Sequence, residues 1–189
     1  ATVNDSVWGA PLVARGMRSA AGRVTSLGYW VAFDHFVELG EGERLLHGGF
    51  GLLSIGNLRK PRFWAIWILQ QLGDTELRCV ADGDGGGGLV EAWATRADDG
   101  RIAIALWNGS LDQSKTEGDA ELDRTVRLAV DGIQPGRWTI RHRRLDLVDH
   151  AVLVVLGIDR RDDALAEGVV QRVVDGGRGD AEARRGVAV

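Results

Sequence analysis

The 189-residue chain is 44% hydrophobic and 26% charged, a composition that excludes a wholly disordered polymer. Its formal charge of −4 supplies no broadly basic surface for nucleic acid, and no stretch approaches the roughly 20 apolar residues that span a bilayer. Cys79 is the single cysteine, so no internal disulfide forms, and residues 1–20 lack the basic and apolar regions of a secretory signal, leaving the localisation open. Two biases call for explanation: seven tryptophans beside one tyrosine, and 21 arginines beside two lysines.

From Asn4 to Ala21, Trp8, Leu12, Val13 and Met17 recur near helical spacing, with Asn4, Asp5 and Ser6 as N-cap candidates, Pro11 suited to a first turn and Gly22 as the stop. Val24 to Phe33 is apolar, aromatic or β-branched with little polar alternation, the pattern of a strand covered on both faces. Pro61 then opens a helix ending at Gly73. Phe63, Trp64, Ile66, Trp67, Ile68 and Leu69 wrap most of its circumference, which calls for a large partner surface. Residues 1–73 therefore read as an α/β portion.

After Asp74 the period changes from helical to alternating. In Leu89 to Thr95 and Ile102 to Trp107, apolar positions alternate around an Asp98-Asp99-Gly100 turn, which predicts a hairpin. Thr125 to Val130 and Arg137 to His142 predict a second pair joined at Pro135-Gly136. The glycine-rich run from Asp82 to Gly88 is followed by a strand rather than a helix, so it reads as a loop and not a phosphate cradle. Of the 43 residues from Leu147 to Val189, 34 are Val, Ala, Gly, Arg or Asp, and none is Pro, Ser, Thr, Asn, Lys or aromatic. Those abundant residues have G-rich or CG-containing codons, so 147–189 is expected to be an aberrant, out-of-frame or disordered tail.

Three constellations compete for the chemistry. His47-Gly48-Gly49-Phe50 has the look of an esterase oxyanion loop, but no G-x-S-x-G elbow accompanies it; Ser54 has a leucine two residues before it. Asp34, His35, Glu38 and His47 match no usual metal-ligand spacing. A sugar pocket fits better: Trp30 offers an apolar ring face, while Asp34, His35 and Glu38 offer hydroxyl-binding groups. Asp34 and Glu38 also stand as an acid/base pair on paper, although four-residue spacing alone does not make them flank one bond. A non-catalytic carbohydrate-binding or structural module is the alternative, with Trp93, Trp107 and Trp138 either stacking on sugar or filling a core.

The run from Ser26 to Phe36, then Leu46-His47-Gly48-Gly49-Phe50-Gly51-Leu52-Leu53, then Asn57-Leu58-Arg59-Lys60-Pro61 before an aromatic helix, resembles the C-terminal part of glycoside hydrolase family 39, which contains β-xylosidases and α-L-iduronidases. Ala105-Leu106-Trp107-Asn108 and Arg143-Arg144-Leu145-Asp146 are similar to that family's accessory β-sandwich. The resemblance implies the remnant of a (β/α)8 barrel over 1–73, with residues 4–22, 24–33 and 61–72 as its seventh helix, eighth strand and eighth helix, followed by antiparallel β-sandwich strands over 74–146. It implies that both catalytic glutamates lie before Ala1, so the chain itself has no catalytic residue and is inactive. It places substrate on Trp30, Asp34, His35, Glu38 and His47, with no metal and no cofactor. Val37 stands where a first acidic residue is expected and Phe33 where a small one is usual, and the family pattern fails after His150. The implied partner is a xylo-oligosaccharide or other β-glycoside, with self-association through the exposed barrel surface.

Overall fold

The computed structural model describes residues 3–35, 44–82, 89–110, 112, 114, 124–147 and 150–161. Two helices, α1 (Gly9–Ala20) and α2 (Pro61–Leu69), precede five strands: β1 (Thr75–Leu77), β2 (Val90–Arg96), β3 (Ile102–Asn108), β4 (Arg137–Leu147) and β5 (His150–Arg161). The strands form one antiparallel sheet in the order β1-β2-β3-β5-β4.

α1 begins two residues before Pro11, which therefore sits in the first turn, where its missing N–H leaves no hydrogen bond broken. Its buried face is Gly9, Ala10, Pro11 and Ala14. These small residues let α2 approach closely, and a side chain at Gly9 would collide with Arg62. α2 starts at Pro61 as expected but ends at Leu69, well before Gly73. It buries Arg62, Ala65, Ile68 and Leu69 and leaves Trp67 41% exposed, so the rest of its apolar circumference is only partly covered.

Alternation along the strands produces two cores. Ala105, Trp107, Leu153 and Val155 face α1 and α2, joined by Ala10, Ala14, Ala65, Ile68 and Leu69. Ala94, Ile104, Leu106, Val154, Leu156 and Ile158 form the opposite face. The expected β2–β3 hairpin is present, with Glu91 opposite Trp107 and Trp93 opposite Ala105, a pairing of large against small. The Trp107 indole donates to Glu91 Oε2 at 2.6 Å, and Glu91 in turn pairs with Arg15 of α1 at 3.0 Å. Thr95, also on the helix face, accepts from Gly73 N at 2.8 Å.

Three expectations are corrected. Val24–Phe33 is not a buried strand: Val24, Leu27, Trp30 and Phe33 are 53%, 61%, 67% and 43% exposed. A strand of that composition is covered only by flanking neighbours, and among the described residues it is paired only at its end. There Val31 and Ala32 accept from Leu52 and Leu53, and Phe33 bridges Leu53 in parallel. Secondly, Thr125–Val130 does not pair with β4. Val126, Leu128 and Val130 instead pack as an extended cover on the second core, while β4 pairs with β5 through a bulge between Leu145 and Asp146.

The third correction concerns the boundary at Leu147. β5 lies inside the sheet between β3 and β4, with Leu153 wholly buried and Val154, Val155, Leu156 and Ile158 at 5% exposure or less. A near-continuous run of β-branched and aliphatic residues suits a strand covered by helices on one face and by the 126–130 segment on the other. Residues 162–189 lie outside the described residues. Among the described residues, a helix pair packs on one face of the sheet and the 126–130 segment on the other.

Candidate functional site

The region singled out from the sequence is organised by a residue that the sequence reading did not select. Lys60, the residue before α2, is 1% exposed. Its Nζ lies 2.7 Å from Asp5 Oδ1 and 2.6 Å from Asp34 Oδ2, and donates to the Gly49 carbonyl at 2.9 Å. The ammonium is thus held between two carboxylates and one carbonyl. The two carboxylates hold the glycine-rich turn with their other oxygens: Gly48 N donates to Asp5 Oδ2 at 2.5 Å and Gly51 N to Asp34 Oδ1 at 2.7 Å. Asn4 Nδ2 adds a bond to Gly48 O at 2.7 Å. Side chains at Gly49 or Gly51 would run into Asp34, which is the physical demand behind the glycines of His47-Gly48-Gly49-Phe50-Gly51.

A second connection lies beside it. Arg62, buried at the start of α2, donates from Nη1 to the Tyr29 hydroxyl at 2.8 Å, and that hydroxyl donates to Phe50 O at 3.1 Å. The turn at 54–58 closes on Ser54, whose buried hydroxyl accepts the Gly56 and Leu58 amides at 3.3 and 3.1 Å. Ser54 is thereby a turn residue rather than a nucleophile. The result is a fixed ledge: the N-terminal residues 4–5, the segment 29–34 and the 47–60 loop are bound together from below.

The expected site residues distribute unevenly over that ledge. Trp30 stands on it, 67% exposed, and its peptide bond to Val31 is cis. His35 is exposed and lies 6.4 Å from the Phe33 ring, centroid to centroid. His47, half-buried, has Nδ1 3.2 Å from the Arg44 carbonyl. Asp34, expected to offer hydroxyl contacts, is instead buried with both oxygens engaged by Lys60 and Gly51, so it supports the ledge from within. Glu38 and Val37 lie outside the described residues, so the Asp34–Glu38 pairing does too. Among the described residues, no group of three or more His, Cys, Asp or Glu is arranged to hold a metal.

The remaining candidates have structural positions. Trp107 is 1% exposed, and Trp93 and Trp138 pack against the two cores. None is as exposed as Trp30. Cys79 is half-buried on the second core, where burial pushes its thiol above the usual range, against the lowering effect of the Arg18 guanidinium. That environment disfavours a thiolate nucleophile. Lys60 had one legible signal: in a chain with 21 arginines and two lysines, a lysine next to a helix-opening proline is conspicuous. A compact ammonium with three divergent donors fits a closed site where a planar guanidinium does not.

The chain is similar to known proteins. The sequence model described as Glycosyl hydrolases family 39 matches residues 1–150. A β-xylosidase of Geobacillus stearothermophilus is 36% identical over 128 residues, covering 68% of this chain and 23% of that protein. A β-xylosidase of Caldicellulosiruptor saccharolyticus is 46% identical over 44 residues, covering 23% of this chain and 9% of that protein. Among solved structures, a monomeric β-xylosidase of Caulobacter crescentus superposes with a TM-score of 0.54 at 25% identity, covering 75% of this chain and 29% of its own. The chain therefore spans about a quarter or less of the length of the β-xylosidases it matches in sequence. With the family match covering most of its residues, the chain belongs to glycosyl hydrolase family 39.

Proposed function

We propose that this chain supplies the closing segment of a (β/α)8 glycosidase barrel together with the sheet that follows it, in a retaining hydrolase of the β-xylosidase type. In this reading α1, the segment 24–33 and α2 are the last helix, strand and helix of the barrel. The observation that carries the reading is the segment itself: an aromatic, β-branched run with four large apolar side chains exposed and one end already bridged in parallel to Leu53. Such a segment is suited to parallel neighbours that the described residues do not provide.

Ligands of barrel enzymes bind at the C-terminal ends of the strands, and the ledge lies at that end of 24–33. Trp30 forms an apolar wall for one face of the sugar, His35 and His47 border it, and Glu38 contributes hydroxyl contacts. Asp34 and Lys60 act beneath, fixing the backbone on which Trp30 and the glycine turn sit. The reaction needs two carboxyl groups about 5–5.5 Å apart: a glutamic acid protonates the leaving-group oxygen while a glutamate attacks the anomeric carbon, and water resolves the covalent intermediate. Both come from strands outside these 189 residues, and neither the acid nor the nucleophile is replaced by a residue of the ledge. The substrate class is a β-xyloside or related short β-glycoside.

The test is Trp30→Ala in the protein extended upstream to include the remaining barrel strands. Loss of the stacking face lowers kcat/KM on an aryl β-xyloside by about tenfold or more, mainly through KM. Unchanged kcat/KM would remove Trp30 from the glycone pocket and with it the placement of the ledge.

A further inference from the structure

We propose that the far end of the helix-bearing sheet face holds a separate site for a small oxyanion, a sulfate or phosphate group, built from Arg101, Arg141 and Arg143 around Gly157. These residues line one cleft together with Gln71 and Val155. Strand register puts them there: Arg141 pairs opposite Gly157 and Arg143 opposite Val155 on β4–β5, while Ala103 flanks Gly157 from β3. Arg101 precedes β3 and shares the face of Ala103. α2 reaches Arg143 through Trp67, and Gln71, just beyond the helix, lines the cleft. The floor is open because the residues at its centre are small; a side chain at Gly157 would meet only Arg141, at 3.8 Å.

The charges of the cleft are not balanced within it. Arg141 is taken up by Asp159, with Nε and Nη2 at 3.0 and 2.6 Å from Oδ2. Arg143 donates to Gln71 Oε1 at 3.1 Å and lies over the Trp67 ring at 5.2 Å; among the described residues no carboxylate pairs with it. Arg101 is ion-paired with Asp99, Nε to Oδ2 at 4.0 Å, yet its buried Nε has no hydrogen-bond partner among the described residues. Three guanidinium groups beside two carboxylates leave the cleft with one positive charge in surplus among the described residues, on Arg143. In a chain of net charge −4, it is a local departure. Planar donor forks converging on an uncovered floor match the oxygens of a sulfate or phosphate, which they bind through charge-assisted bonds. Trp67, 41% exposed beside Arg143, gives the rim an apolar surface for a body attached to the anion. The site takes no residue from the ledge and does not depend on the glycosidase reading.

Titration of the 189-residue chain with sodium sulfate, at ionic strength held constant with sodium chloride, tests the proposal. A saturable rise in Tm and a calorimetric isotherm are expected. Arg101→Gln and Arg143→Gln each weaken binding by about tenfold or more, whereas Arg78→Gln, exposed outside the cleft, leaves it unchanged. Gly157→Asp places a carboxylate on the floor and abolishes the response while retaining the wild-type circular dichroism spectrum. Inorganic phosphate compared with phenyl phosphate distinguishes the sources: tighter phenyl phosphate binding identifies an anion carried on a larger molecule, and equal or weaker binding a free ion. A response that does not saturate, that chloride reproduces, or that survives both arginine substitutions and Gly157→Asp would overturn the site.

Discussion

Lys60→Met destabilises the protein by about 3–5 kcal/mol, because it leaves the Asp5 and Asp34 carboxylates buried around an apolar side chain. The Lys60 and Asp34 side chains are both fully buried in the structure and that of Asp5 is 4% exposed, so water does not readily take the place of the ammonium. Lys60→Arg does not restore the loss, since a fork with a longer reach does not fit acceptors placed for an ammonium, the Asp5 and Asp34 carboxylates and the Gly49 carbonyl. Adding Asp34→Asn to Lys60→Met recovers part of the stability by removing one stranded charge, so the two substitutions are non-additive. Urea denaturation of the single and double variants measures this. Additive effects, or a loss under about 1 kcal/mol for Lys60→Met, would mean that the ion cluster does not hold the ledge.

Leu153→Ala costs about 2–5 kcal/mol. Leu153 is wholly buried in the core beneath α1 and α2 and pairs opposite Trp107. Truncating it leaves a void beside a tryptophan that is itself 1% exposed, where neither neighbour relaxes easily. The same substitution at an exposed position of the sheet costs little, so the size of the effect tests whether β5 is part of the core. A Leu153→Ala variant within about 0.5 kcal/mol of the parent would return residues 150–161 to the status of a tail.

These two results concern the places where the sequence was hardest to read. The codon-biased composition of 147–189 conceals a strand, because Val, Ala and Gly are as compatible with a buried β-strand as with a degenerate reading frame. The clue was order rather than composition: Ala151 to Ile158 is an unbroken apolar run, whereas the residues after Arg161 mix charge and glycine throughout. The helices were legible from Pro11 and Pro61, whose allowed positions mark first turns, and the β2–β3 hairpin from two alternating runs around Asp99-Gly100. Val24–Phe33 had the composition of a buried strand, yet burial depends on neighbours, and no local pattern states whether they are present.

The site shows the same division. Trp30 was recognisable because an aromatic next to polar groups at the end of an apolar run is an unusual surface residue, and it is exposed in the structure. Asp34 was legible as a functional carboxylate but not as a buried one, because its partner Lys60 is 26 residues away and Asp5 lies further off on the other side. Long-range ion pairs of this kind leave no local periodicity. The three arginines of the oxyanion cleft are equally scattered: Arg141 and Arg143 meet Arg101 only through β5, which pairs with β4 on one side and β3 on the other, a register that was not readable once β4 had been assigned to the wrong partner.

The central claim is that these residues complete a glycosidase whose acid and nucleophile lie elsewhere. The measurement that tests it most directly is hydrolysis of 4-nitrophenyl β-D-xyloside by the purified 189-residue chain across the carboxylate titration range of about pH 4–7, each aliquot being made alkaline before its nitrophenolate is read against a buffer blank treated alike. The account predicts release indistinguishable from the blank at every pH, since Trp30, His35 and His47 bind but supply neither reacting carboxyl group. Sustained release that disappears in Glu38→Gln would contradict it.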